Sequence, residues 1–96
     1  MLRTNYKYVE QSAQIANHPT LVYSISFVTS SAGVGVILYD APDANTAQIA
    51  LHLHELSDRH VTENFNPPII MQKGLYLTLE SGCDSATIQY CADWQD

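Results

Sequence analysis

Residues 66–80 read NPPIIMQKGLYLTLE, and Thr87-Ile88-Gln89-Tyr90 follow one turn later. Leu75, Leu77 and Leu79 alternate with Tyr76, Thr78 and Glu80, the period of a strand with one buried and one exposed face. Upstream, Pro67-Pro68 stiffens the entry to residues 69–72. Lys73-Gly74 predicts a tight reversal into residues 75–80, with glycine supplying a positive φ. Downstream, Ser81-Gly82-Cys83-Asp84-Ser85 turns the chain into residues 86–91, which predicts a hairpin with residues 75–80.

Nearer the N-terminus, residues 20–29 alternate, with Leu21, Tyr23, Ile25 and Phe27 on one side and Val22, Ser24, Ser26 and Val28 on the other. This predicts a strand whose second side faces water or a partner. Residues 34–39 are β-branched and nearly continuous in apolar residues, and Gly35 within them marks a bulge or a close backbone approach. Residues 47–56 carry the Ala and Leu of a helix, but Ile49, Leu51 and Leu53 alternate with Ala50, His52 and His54, so strand is the reading. Residues 57–66 read as a polar loop. Tyr6 and Tyr8 share a face across Lys7 in a short strand or extended arm, and QSAQIANHP after it is polar and unpatterned.

Seven or eight short strands separated by turn signals predict one small all-β domain, an antiparallel β-sandwich or jelly-roll-like fold. Residues 1–18 form its extended N-terminal arm or edge strand, and residues 19–96 the sandwich. Cys83 at the tip and Cys91 at the far end of the expected hairpin lie too far apart to bridge, so both thiols are expected to be free. The lone Trp94 either folds onto the sandwich edge or is offered to a neighbour.

The 96 residues carry a net charge of −6, with Arg3, Lys7, Arg59 and Lys73 as the only Lys and Arg. No basic stripe exists to neutralise phosphates, so nucleic acid is not an expected partner. No apolar run is long enough to span a bilayer as a helix, and residues 1–11 lack a signal-peptide apolar segment, which predicts a chain used without secretion. Only 15% of residues are charged, against roughly 25% in an average domain, and Ser, Thr, Asn, Gln and Tyr supply the polarity instead. Neutral polar groups lose less on desolvation than charges, so such a surface suits contact with other protein.

The one grouping with metal-ligand character is His52-x-His54, with Glu55, Asp58 and His60 nearby. Residues two apart on a strand point the same way, so both imidazoles could hold one Zn²⁺ with a carboxylate, Asp58 first among them, or His60 as third ligand. The simpler reading is two histidines on an exposed strand face. The pair is reminiscent of the cupin metal motif, but the glycine that precedes that motif at short range and a later half-motif with its own His are missing. There is no GxSxG elbow, no phosphate cradle and no carboxylate pair for acid–base work. Cys83 beside Asp84 is not expected to be an activated thiolate. The expectation is a non-enzyme without a cofactor.

Taken together, SISFVTSSAGVGVILYDAP, NFNPPIIMQKGLYLTLESG and ATIQYC resemble the small β-sandwich proteins of tailed-bacteriophage virions over roughly residues 21–91. The resemblance implies a structural role in the virion: a decoration or cement protein that binds major capsid subunits, commonly as a homotrimer, or else a head- or tail-fibre module. In that setting Tyr6, Tyr8 and Trp94, with Val22, Val28 and Tyr76 on exposed strand faces, are the expected protein contacts.

Overall fold

The computed structural model describes residues 4–30, 33–44, 48–55 and 60–92. They form eight strands: β1 (Asn5–Val9), β2 (Ala13–Ala16), β3 (Thr20–Thr29), β4 (Val34–Tyr39), β5 (Ile49–Glu55), β6 (His60–Met71), β7 (Leu75–Leu79) and β8 (Cys83–Cys91). One antiparallel sheet, sheet A, has the order β1-β8-β3-β6, and the other, sheet B, the order β2-β7-β4-β5. Thus β1 pairs with β8, β2 with β7, β3 with β6 and β4 with β5. The first half of the chain meets the second in reverse order, as if a long hairpin with its tip between β4 and β5 had been rolled up. That is the strand order of a jelly roll.

The core is the space between the sheets. Val22, Ile25 and Phe27 of β3 and Ala86 and Ile88 of β8 meet Val36 and Leu38 of β4 and Leu75 and Leu77 of β7, all essentially inaccessible to water. Val22 corrects the sequence expectation, which placed it on the exposed side with Ser24, Ser26 and Val28. Pairing advances two residues on β3 from Val22 to Ser24 but only one on β8, from Tyr90 to Gln89. Tyr23 is the extra residue of a bulge, and a one-residue slip moves every side chain beyond it to the other face. Val22 therefore shares the core with Ile25 and Phe27.

Three further expectations change. The polar stretch expected as a loop is strand from His60 onward, because β6 runs through Asn66, Pro67 and Pro68 to Met71. As an edge strand it tolerates the missing N–H groups, and pairing with β3 skips from Asn64 to Ile69 around the prolines. Lys73-Gly74 does reverse the chain, but from one sheet to the other and not within a hairpin. Gly74 has a φ of +153°, and a Cβ there would lie 2.8 Å from the Ala16 carbonyl oxygen. Likewise β7 and β8 are not a hairpin but belong to different sheets. The cysteines are free nonetheless, since they begin and end one strand and stand about 26 Å apart at the usual rise per residue.

Residues 49–55 are strand, as the alternation indicated. Gly35 marks a close approach, because a Cβ there would overlap the Leu53 carbonyl oxygen, whereas the irregularity in the β4–β5 pairing lies opposite Leu38 and Tyr39, with Ala50 of β5 as the extra residue. The unpatterned QSAQIANHP contains β2, only four residues long and with a register shift of its own. β1 lies along β8 as the edge of sheet A and buries Val9 in the core.

Candidate interaction face

Directly paired residues of an antiparallel sheet project from the same face, so register turns the strand order into a surface. On the outer side of sheet A, one row runs Tyr6, Gln89, Ser24, Asn64 and the next Tyr8, Thr87, Ser26, Thr62. A third, shorter row holds Ser85, Val28 and His60. None of these positions carries a carboxylate, an ammonium or a guanidinium group. The hydroxyls and amides hold one another in place: Ser24 Oγ donates to Gln89 Oε1 at 3.1 Å, and the Ser26 and Thr62 hydroxyls lie 2.8 Å apart.

Tyr6 and Tyr8 border this field on β1, 69% and 59% exposed, and the Tyr8 hydroxyl donates to Glu10 Oε2 at 3.2 Å. Val28 adds a half-exposed apolar side chain near the opposite corner. Apart from the Glu10 carboxylate at the Tyr8 corner, the arrangement is uncharged and able both to donate and to accept hydrogen bonds. Away from that corner, such a face can dock against protein without stripping water from a formal charge.

The structure thus divides the contact residues expected from sequence. Tyr6, Tyr8 and Val28 come together on sheet A. Val22 is in the core, as described above, and does not reach the surface. Tyr76 lies on the outer face of sheet B, half-buried and edge-on to Tyr39 with ring centroids 6.0 Å apart. Trp94 lies outside the described residues. The contributions of β8 and β6, namely Thr87, Gln89, Thr62 and Asn64, were missed by sequence reasoning. The alternation of Ala86 and Ile88 with Thr87 and Gln89 was the available signal, but only the register brings those side chains beside Ser24 and Ser26.

A second grouping sits on the outer face of sheet B. His52 and His54 point the same way, their rings edge to face with centroids 4.9 Å apart. His52 Nε2 is 3.2 Å from Glu80 Oε1, and that oxygen also accepts the Gly35 N–H at 2.8 Å. The carboxylate beside the histidines is therefore Glu80, from the end of β7. His60 is no partner to them, since it pairs with Val28 in the other sheet. Asp58 lies outside the described residues. Among the described residues no three His, Cys, Asp or Glu side chains are placed to hold a metal ion.

Burial is the main force pushing the Cys83 thiol above its ordinary range, and the nearby carboxylates of Asp84 and Glu80 act in the same direction. A hydrogen bond with the Ser85 backbone partly opposes them. The thiol is held neutral, the opposite of what a nucleophile needs. No helix among the described residues is long and apolar enough to cross a membrane. Against known proteins, no family model matches the chain and no curated sequence matches it.

Proposed function

We propose that this chain is a structural protein of a tailed-bacteriophage virion, a decoration or cement protein that binds major capsid subunits through the outer face of sheet A. The observation that carries the reading is the absence of charged residues from the three paired rows of that face in a chain of net charge −6. An acidic protein that only had to stay soluble would gain by spreading its carboxylates over its widest face. The resemblance of residues 21–91 to small virion sandwiches supplies the setting. Jelly rolls serve viral capsids, lectins and cupins alike, so the fold by itself does not choose among them. Cementing needs only binding: several modest contacts engaged at once by copies on one shell give avidity that no single contact has.

The test is to add the purified chain to heads, stripped of it, from the phage that encodes it. Saturable binding in fixed ratio to the capsid subunits, with heads that withstand heating better, is the expected result. Heads that neither bind the chain nor gain stability would refute the reading. A second reading, binding of a transition metal, is favoured only by the facing imidazoles of His52 and His54. It requires a bound ion in native mass spectra that disappears in His52→Ala.

A further inference from the structure

One row on the inner side of sheet A runs Lys7, Ile88, Ile25, Glu63. Its two middle members are fully buried. Its ends are the two edges of the sheet, with a cation on β1 and a carboxylate on β6, both exposed. Lys7 is one of only four Lys and Arg in the chain. Among the described residues neither Lys7 nor Glu63 has an ion-pair partner.

An inward-pointing charge on an edge strand blocks a like edge from adding to it. Two β1 edges meeting about a two-fold axis at Lys7 would set lysine against lysine, and two β6 edges meeting at Glu63 would set glutamate against glutamate. The opposite pairing is permitted. Strands in sheet A alternate in direction, so β1 of one copy beside β6 of the next continues the antiparallel order. With Lys7 opposite Glu63, Val9 faces Val61, Tyr6 faces Asn64 and Tyr8 faces Thr62. The apolar row thus meets an apolar row, and each neutral row meets a neutral one. The prolines that interrupt β6 lie beyond this stretch. An open cleft of about 510 Å³ beside β1, lined by Lys7, Val9 and Ala13 among others, leaves room for inward side chains of an added strand.

We propose that copies of this chain associate head to tail, β1 of one adding to β6 of the next with Lys7 paired to Glu63. Because the contact is heterologous and joins opposite edges, it builds a ring of three or more copies where the rotation between neighbours closes and an open filament where it does not. This contact follows from the chemistry of the two edges and does not depend on the capsid reading. In such a ring the uncharged outer faces form one continuous surface.

The test is native mass spectrometry of the full-length chain and of Lys7→Glu, Glu63→Lys and the double exchange, with circular dichroism to show that each is folded. One discrete assembly of at least three copies is expected for the wild type. Each single reversal sets like charges opposite one another and should weaken association by roughly tenfold or more, and the double exchange should restore it. A wild type that stays monomeric at high concentration would overturn the proposal. So would a dimer, an assembly indifferent to both reversals, or a double exchange that fails to reassemble. Should a single reversal misfold, the double exchange with its restored pairing still decides the matter. Amides of Asn5–Val9 that become protected from exchange only on adding heads would assign the edge to a foreign strand and likewise overturn it.

Discussion

Val22 and Val28 lie six residues apart on β3 and would share a face in a regular strand, yet one is inaccessible and the other is 39% exposed. The bulge at Tyr23 accounts for this, and it makes the two valines a matched pair for experiment. Val22→Ala removes two buried methyl groups from a packed core and is expected to cost about 2 kcal/mol. Val28→Ala should stay within about 0.5 kcal/mol of the wild type. Urea titration of both variants measures the difference directly, and equal costs would refute the bulge. Cys83 gives a second check at this scale. Burial raises its folded value above the unfolded one. Its contribution to stability is therefore complete below the ordinary thiol value and is lost as pH rises through the folded value. Stability measured from neutral to alkaline pH should decline less steeply in Cys83→Ala than in the wild type.

Strands with a clean local period were legible one by one: β7 from its leucines, β4 from its β-branched run, β5 from alternation that outweighed its helix-forming composition. β2 left no pattern because a register shift falls within its four residues. The first half of β6 was hidden by composition, since an edge strand with one wet face needs few apolar side chains. Pairing was the part furthest out of reach. Leu75–Leu79 and Cys83–Cys91 are adjacent in sequence and look like a hairpin, but the jelly roll assigns them to different sheets, and no local signal reports a choice made by distant strands. The interaction face suffered similarly. Ser24 and Ser26 could be seen pointing away from Ile25 and Phe27, while the joining of their surface to Thr87, Gln89, Thr62 and Asn64 depends on register. At the element scale Gly35 is the sharpest test. A methyl group there would overlap the Leu53 carbonyl and force β4 and β5 apart, so Gly35→Ala should cost about 1–3 kcal/mol. Faster amide exchange confined mainly to β5 should accompany the loss of stability seen on thermal unfolding.

For the whole molecule, the distribution of charge is the most informative feature. Glu80, His52 and His54 gather on sheet B, and Lys7 and Glu63 mark the edges of sheet A, while the paired rows across the outer face of sheet A carry no carboxylate, ammonium or guanidinium group and Glu10 stands at their border. Contact through a neutral face owes little to Coulomb attraction, so affinity for a capsid should change less than about threefold between low and high salt. A strong salt dependence, read by co-sedimentation, would place the contact elsewhere. The most direct measurement introduces a charge into the face itself. Head occupancy by Thr87→Asp would be compared with that by Thr78→Asp, which places the same charge on the outer side of sheet B. Thr87→Asp is expected to abolish occupancy and Thr78→Asp to leave it unchanged, with both variants folded. Full occupancy by Thr87→Asp would contradict the claim that this protein works through the uncharged face of sheet A.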